Sequence, residues 1–320
     1  MKALLAICLC LTAAKTEDRP CVLIVVGAPG APEYKAELER WADLWQAAAL
    51  KAAAESIRIG STAESGVSDR ERLRSMLASK SAASREPLWI VLIGHGTYDG
   101  REAKFNLRGP DVTDLEFSDW LAPLKRQVVV LDCTSASGPF INRLSGDNRI
   151  VVTATKSGHE INFARFGQYL AEAITDQRAD LDKDGQVSLL EAFLTASRGV
   201  DEYYRTHSQL ATEHALLDDN GDRLGTPANW FRGVRATQRA KDGAQLDGLR
   251  AHQLHLIPSD RERDMPVELR QRRNQLELSV AALRDQKGKL KEDEYYEQLE
   301  KLMVELARLY RDLPAGSHIH

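Results

Sequence analysis

The stretch QVVVLDCTSASG (residues 127–138) joins a strand pattern to a reactive side chain. Residues 128–131 are apolar without interruption and mostly β-branched, which is typical of a strand that is covered on both faces. An acid, a thiol and a run of small polar residues follow immediately, at Asp132, Cys133 and 134–138. The stretch therefore predicts a buried parallel strand that ends in Cys133.

Similar strands recur on both sides of this stretch, with helical patterns between them. The other predicted strands are CVLIVVGAP (21–29), SIRIG (56–60), PLWIVLIGHG (87–96) and RIVVTAT (149–155). Helical spacing occupies 31–55, 68–80 and 162–174, and Ser68 and Glu71 have the spacing of a capping box. This alternation predicts a three-layer α/β/α fold with a mostly parallel sheet.

Three polar clusters follow the ends of predicted strands. They are Gly94-His95-Gly96, Asp132-Cys133 and residues 156–159. Because ligands of open α/β sheets bind beyond the carboxyl ends of the strands, these clusters form the candidate functional site.

Cys133 and His95 have the residue types of a nucleophile and its base. Attack of a thiolate on a carbonyl needs a nearby base, and an imidazole can afterwards protonate the leaving group. If the strands before the two residues are neighbours, both side chains come to one edge of the sheet. Gly96 has no side chain, so its N–H can approach a developing oxyanion together with the N–H of Cys133. The pattern favours a cysteine hydrolase.

Simpler structural roles are also consistent with these residues. A cysteine after an apolar run is commonly a small buried hydrophobic residue, and Gly-His-Gly is commonly a turn. A serine hydrolase is not indicated, because TSASG (134–138) lacks the first glycine of G-x-S-x-G.

The order of these motifs resembles the caspase-like cysteine peptidases, and within them the legumain (haemoglobinase) family. The segments that carry the resemblance are VLIGHG (91–96), DCTSASG (132–138) and VVTATKSG (151–158), and it covers residues 20–235. It implies a caspase-haemoglobinase fold and a cysteine endopeptidase that acts on peptide or protein substrates. By the same resemblance His95 and Cys133 form the catalytic dyad, with Gly96 at the oxyanion hole.

Two positions depart from the pattern of that family. Asp132 lies directly before Cys133 with no residue between them, and Thr134 replaces the acidic residue after the nucleophile. Asparagine specificity therefore does not carry over. The alternative function is a catalytically inactive caspase-like module that binds calcium and interacts with other proteins.

DLDKDGQVSLLE (180–191) matches D-x-[DN]-x-[DN]-G-x5-E, the loop pattern of calcium-binding EF-hands. Three carboxylates at this spacing repel one another unless a cation lies between them. Gly185 permits the sharp turn that such a loop requires. The sequence predicts a structural Ca2+ whose ligands come from Asp180, Asp182, Asp184, the carbonyl of Gln186, Ser188 and Glu191.

LLDDNGDRLGT (216–226) looks like a second loop of this kind but is incomplete. Asp218, Asn220 and Asp222 have the spacing, whereas Arg223 replaces the glycine and Asn229 replaces the closing Glu. Three interpretations stay open: a second cation site, a turn held by its own side chains, and an acidic pocket for a basic substrate side chain.

The sequence changes character after residue 235. Residues 236–264 are polar and are predicted to form a linker, and residues 265–313 have the spacing of two amphipathic helices. We expect these helices to form a hairpin that packs on the domain, binds a partner or self-associates. The side chains expected to face each other are Leu276, Leu278, Val280 and Leu283 on one helix and Leu299, Leu302, Val304, Leu306 and Leu309 on the other.

Residues 1–14 predict a secretory signal peptide, with an early lysine, about ten apolar residues and small residues at the end. We therefore expect a secreted or periplasmic protein. Cys8 and Cys10 would leave with the signal, and the remaining Cys21 and Cys133 are either bridged or free. No later apolar run is long enough to span a membrane, and a net charge of −4 disfavours nucleic acid as a partner.

Overall fold

The computed structural model describes residues 19–61, 66–81, 84–241 and 244–311, so the predicted signal peptide lies outside the described residues. The strands are β1 (Cys21–Val26), β2 (Glu55–Ile59), β3 (Leu88–Ile93), β4 (Gly96–Tyr98), β5 (Ala103–Phe105), β6 (Val112–Thr113), β7 (Val128–Asp132), β8 (Arg149–Thr153), β9 (Leu216–Asp218), β10 (Thr226–Pro227), β11 (Phe231–Arg232) and β12 (Arg235–Ala236).

The helices are α1 (Pro32–Lys51), α2 (Asp69–Ser79), α3 (Asp114–Leu121), α4 (Gly138–Leu144), α5 (Phe166–Ala173), α6 (Leu189–Thr206), α7 (Leu249–His252), α8 (Asp260–Asp264), α9 (Val267–Asp285) and α10 (Glu292–Arg311). Within the described ranges, none of these helices combines the length and the apolar composition that a bilayer crossing requires. Helix α2 begins with the predicted capping box, in which the Ser68 side chain accepts from Glu71 N at 3.2 Å.

Within the described residues, seven strands form the central sheet in the order β10-β9-β8-β7-β3-β1-β2. The five strands from β8 to β2 are parallel, and β9 and β10 add antiparallel strands at one edge. Strands β3 and β7 are direct neighbours, with Leu92 opposite Asp132. The segments that carry His95 and Cys133 therefore leave the sheet side by side.

The sheet is covered by helices on both faces, because its parallel strands are apolar on both sides. In β1, Val22 and Ile24 belong to the same core as Trp41 of α1, together with residues of α5 and α6. The intervening Leu23 packs with residues of α2, α3 and α4, among them Phe117. The predicted three-layer α/β/α fold with a mostly parallel sheet is confirmed, and this architecture is consistent with a caspase-like fold.

Helices α9 and α10 form the C-terminal helical hairpin. Leu276, Val280 and Leu283 of α9 are buried, as is Leu309 of α10. Val304, which was expected in this contact, is 41% exposed. Five residues separate Val304 from Leu309, which turns its side chain by roughly 140° around the helix, away from α9.

The segment between the domain and the hairpin packs on helix α6 along part of its length. Leu189 N donates to Leu254 O at 2.8 Å, and Ser188 pairs with His255 in an isolated antiparallel bridge. Leu256 is buried in the same core as Leu189. Residues 236–264 are polar overall, so the few apolar residues that anchor this segment are not apparent from its composition.

The two cysteines of the described residues, Cys21 and Cys133, are both free and buried. Cys21 begins β1 in register with Leu88, at the amino edge of the sheet, whereas Cys133 follows the carboxyl end of β7. A disulfide between them is thus excluded, because a bridge requires Cα atoms within about 7 Å.

Candidate active site and ion-binding loops

Cys133 lies one residue beyond strand β7 and points into the core. Its side chain is 1% exposed. A Cβ atom placed on Gly167 of α5 would lie 2.7 Å from Cys133 Cβ and 3.1 Å from the Trp41 ring, so helix α5 approaches the thiol as closely as glycine permits. Burial, and then the charges of Asp132 and Glu213, raise the pKa of this thiol far above its usual range. The sulfur is held as a thiol that solvent does not reach.

The His95 imidazole is partly buried at the carboxyl edge of the sheet. Its Nε2 lies 3.0 Å from Pro29 O, and because a carbonyl only accepts, this nitrogen carries the proton. The ring also contacts Tyr34 and Phe163, at centroid distances of 5.3 and 5.6 Å. In the described part of the chain, the Cys133 sulfur has one hydrogen-bond contact, to Leu131 O at 3.8 Å, and none to His95.

Gly96 contacts Ser135, one of the small polar residues that follow Cys133. Gly96 N donates to Ser135 Oγ at 3.2 Å, and Ser135 Oγ lies 3.2 Å from Gly96 O. A Cβ atom on Gly96 would lie 2.3 Å from Ser135 O, so this close approach requires glycine. The N–H that was expected to stabilise an oxyanion thus has an internal acceptor.

Asp132 holds the turn that follows β7. Its Oδ1 accepts from Thr134 N at 3.1 Å and from Thr134 Oγ1 at 2.6 Å. Its Oδ2 has no hydrogen-bond partner among the described residues, and burial raises the pKa of this carboxyl to about 7. The acid directly before the cysteine therefore fixes Thr134 and adds no positive field that would activate the thiol.

The third predicted cluster, at the end of β8, lies beside the other two. Ala136 N donates to Glu160 O at 2.8 Å, and Tyr98 packs edge-on against His159. Glu160 accepts from His214 Nδ1 at 2.5 Å and from Lys156 N at 2.9 Å. The three strand-end clusters do converge, as expected, but their polar groups are engaged with one another.

Glu213 caps helix α5 from a distant segment, which no sequence motif indicated. Its carboxylate accepts from Arg165 N at 2.8 and 2.9 Å, from Phe166 N at 2.9 Å and from Tyr204 Oη at 3.2 Å. Burial raises the pKa of this carboxyl. Glu213 also lines an open pocket whose other walls include Val200 and residues 227–229.

The loop 180–191 brings three of its acidic side chains close together. One carboxylate oxygen from each of Asp180, Asp182 and Asp184 lies within 4.8 Å of the others. Gly185 has a φ of +91° and donates its N–H to Asp180 Oδ2 at 3.1 Å. Clustered oxygen ligands of this kind suit Ca2+. The fourth acid, Glu191, has an oxygen within the same distance of Asp182.

Two of the predicted ligand residues also hold neighbouring structure. Ser188 Oγ accepts from Glu191 N at 3.2 Å and donates to Glu191 Oε2 at 2.8 Å, which caps helix α6. The Gln186 side chain accepts from Ser259 N at 2.9 Å. His252, which the sequence did not single out, lies with Nε2 at 3.0 Å from Asp182 Oδ2. The loop is therefore joined to the segment that leads to the hairpin.

The second acidic loop is a turn held by its own side chains. Asp218, Asn220 and Asp222 each accept from a backbone N–H within residues 221–224, at 2.8–2.9 Å. These bonds hold residues 218–224 in a turn.

A buried carboxyl pair, Asp219 and Asp247, lies beside this turn. Asp219 accepts from Gly248 N at 2.9 Å and from Ala251 N at 2.8 Å. Asp247 accepts from Asp219 N at 3.1 Å and from Thr226 Oγ1 at 2.5 Å. Burial, and then the charge of Asp219, raise the pKa of Asp247 to about 8, so the pair retains a proton at neutral pH.

We expect the free energy of unfolding of Asp247→Asn to depend less on pH than that of the unchanged chain. A group whose pKa is higher in the folded chain stabilises the fold while it is protonated, and this contribution is lost as the pH rises from about 4 through about 8. The Asp247 carboxyl should contribute up to about 1.4 kcal/mol per pH unit to the fall in the free energy of unfolding in this window.

Urea unfolding between pH 5 and 9, in chelator, measures this slope. The exposed Asp147→Asn is the control, and it should keep the slope of the unchanged chain. If Asp247→Asn showed the same slope as the unchanged chain, the raised pKa assigned to Asp247 would be wrong.

Comparison with solved structures finds several likenesses, among them the following two. The chain is similar to the Drosophila initiator caspase Dronc, with 14% sequence identity and a TM-score of 0.45 over 65% of this chain and 82% of that chain. It is also similar to Raptor of Chaetomium thermophilum, with 10% identity and a TM-score of 0.34 over 50% of this chain, and it spans 18% of the length of that chain. No family model and no curated protein matches the sequence.

Proposed function

We propose that the chain is a catalytically inactive, caspase-like module that binds calcium and interacts with other proteins. The burial of the Cys133 sulfur carries this proposal. A nucleophile must present a thiolate to its substrate, whereas this sulfur is 1% exposed and its thiol pKa is raised. Ser135, whose hydroxyl bonds to Gly96, is itself buried.

Calcium is the proposed ligand of residues 180–191, with a structural role. The oxygen atoms of Asp180, Asp182 and Asp184 are the hard ligands that Ca2+ prefers, and Glu191 stands at the closing position. Export through residues 1–14 belongs to the same proposal, because an exported chain meets millimolar calcium.

A cysteine endopeptidase is the second candidate, and the position of His95 and Gly96 favours it. They follow β3, which pairs directly with the strand that precedes Cys133. In this function the turn after β7 rearranges, exposes the sulfur to the imidazole and releases the Gly96 N–H for the oxyanion.

Alkylation with iodoacetamide separates the two candidates. In the folded chain we expect Cys133 to react on the order of a hundredfold more slowly than a cysteine at the exposed position Leu210, because reaction requires local opening. Mass spectrometry of the peptide that contains Cys133 gives the rate, and Leu210→Cys is the matched control. The rate should not change in His95→Ala.

Fast and selective labelling of Cys133 that is lost in His95→Ala would contradict the inactive module and support the peptidase. The inactive module would also be contradicted if the unchanged chain cleaved a peptide library and Cys133→Ala did not. The library is assayed with calcium and with chelator, so that loss of the ion cannot be mistaken for an inactive site.

A further inference from the structure

His252, the last residue of α7, brings a nitrogen donor to the acidic side chains of loop 180–191. Its Nε2 lies 3.0 Å from Asp182 Oδ2. One ligand atom from each of Asp182, Glu191 and His252 lies within 4.8 Å of the other two. We call these three residues the mixed cluster, because it joins an imidazole to two carboxylates. The cluster of Asp180, Asp182 and Asp184, by contrast, offers oxygen alone.

The backbone is anchored on both sides of His252. Before it, Ala251 is fully buried and donates its N–H to Asp219 Oδ2 at 2.8 Å. After it, Leu254 O accepts from the N–H of Leu189 at 2.8 Å, and Leu189 begins α6, the helix that carries the closing acid of the loop. These bonds fix the imidazole relative to the loop without any help from an ion. Ligand side chains that are held in place in this way are what a metal site requires.

Glu191 is the buried floor of the mixed cluster, and the other two side chains are open to solvent. Glu191 is 1% exposed, whereas the side chains of His252 and Asp182 are 33% and 30% exposed. Glu191 Oε1 accepts from Leu181 N at 2.7 Å and from Asp182 N at 3.2 Å. An ion can therefore enter from solvent and displace only the longer of these two bonds.

The separation of His252 Nε2 and Asp182 Oδ2 is that of neighbouring ligands around one metal ion. Zn2+ binds imidazole nitrogen and carboxylate oxygen at about 2.0–2.2 Å, so adjacent ligand atoms lie about 3.0–3.4 Å apart. In the structure Nε2 donates its proton to Asp182 Oδ2, since a carboxylate only accepts. An ion that replaces this proton bonds to both atoms.

The imidazole decides which class of ion the mixed cluster suits. Ca2+ and Mg2+ take oxygen ligands, whereas an imidazole nitrogen suits Zn2+ and its neighbours in the first transition row. Three protein ligands with water at the remaining position are a common coordination of Zn2+. We propose that Asp182, Glu191 and His252 bind Zn2+, with His252 as the nitrogen ligand. The site shares two residues with the proposed calcium site but does not depend on calcium binding.

Isothermal titration calorimetry of the full chain with Zn2+, without calcium, tests the proposal. We expect His252→Gln to raise the dissociation constant by roughly a hundredfold or more. Glutamine can keep a hydrogen bond to Asp182 but does not supply an imidazole, so this variant separates a metal ligand from a merely structural residue. X-ray absorption at the zinc edge should show one imidazole ligand in the unchanged chain and none in His252→Gln.

Two control variants remove other histidines. His207→Ala changes an exposed histidine that follows α6, and His318→Ala combined with His320→Ala removes the two histidines at the end of the chain. Both controls should keep the zinc affinity of the unchanged chain, and circular dichroism verifies that each variant is folded. Equal zinc affinity in His252→Gln and the unchanged chain would overturn the inference, as would an affinity that is lost in the terminal variant.

The calcium site is tested separately, by the melting temperature in calcium and in chelator. We expect calcium to stabilise His252→Gln as it stabilises the unchanged chain. Zinc binding that requires His252, in a chain that calcium does not stabilise, would refute the calcium site and support this inference. Calcium stabilisation without any zinc affinity that requires His252 would refute this inference alone.

Discussion

Calcium at 5 mM is expected to raise the melting temperature of the chain by roughly 10 °C relative to chelator. A ligand present at a thousandfold of its dissociation constant adds about 4 kcal/mol to the free energy of unfolding, and each kcal/mol shifts a chain of this size by roughly 2–4 °C. The physical source is the repulsion among Asp180, Asp182 and Asp184, whose oxygens lie within 4.8 Å. Differential scanning calorimetry measures the shift.

Glu191→Gln should remove most of this calcium effect, because it deletes one negative charge and one oxygen ligand from the closing position. The matched control is Asp201→Asn, a change of the same kind at an exposed position on the same helix, α6. Calcium should stabilise this control as it stabilises the unchanged chain. An unchanged chain whose melting temperature is the same in calcium and in chelator would refute the site.

Glu213→Ala is expected to lower the free energy of unfolding by about 3 kcal/mol, because buried donors left without an acceptor are costly. The substitution leaves Arg165 N and Phe166 N without their acceptor, whereas Tyr204 Oη keeps its bond to Thr212 Oγ1 at 2.8 Å. Both of these N–H groups belong to the start of helix α5, the helix that covers Cys133. Chemical unfolding monitored by circular dichroism gives the value.

Glu213→Gln should be less harmful, because the amide retains one oxygen that accepts the same N–H groups. Glu202→Ala, an exposed acid on α6, serves as the control and should cost little. If Glu213→Ala were as stable as this control, Glu213 would not be the cap. An increased rate of Cys133 alkylation in Glu213→Ala would show that α5 is the cover over the thiol.

The architecture follows from local patterns that are visible in the sequence. Uninterrupted apolar runs such as residues 88–93 and 128–131 can be buried only in a sheet that is covered on both faces, and the alternation with helices makes the sheet parallel. The same reasoning brings His95 and Cys133 to one edge. The capping box of Ser68 and Glu71 could also be predicted, because it depends on residues three apart.

The state of the thiol could not be predicted, because it depends on residues that are remote in the sequence. Cys133 follows the alternation of Val129 and Leu131, which share its core, so its side chain turns towards the layer of α1 and α5. Gly167 and Trp41 then close over it, 34 and 92 residues away in the sequence. No pattern around Cys133 distinguishes this arrangement from an open cleft.

Glu213 and the Asp219–Asp247 pair were missed for the same reason. A carboxylate that caps a helix from another segment leaves no local spacing, and a buried acid in a polar stretch has the sequence appearance of a surface residue. The pattern of Asp218, Asn220 and Asp222 was visible, but side chains that bond to a turn and side chains that bind a cation require the same residue types.

The bridge between Ser188 and His255 has a mechanical consequence for the whole chain. Residues 249–264 leave the domain at this place and continue into the hairpin, and Glu262 is joined to Arg273 of α9 by two hydrogen bonds of 2.6 and 2.7 Å. Loop 180–191 is thus one of the attachments of the hairpin, beside the ion pair between Arg270 of α9 and Glu86. If calcium binds this loop as proposed, removal of the ion would loosen this attachment, and the change would reach α9 without crossing the sheet.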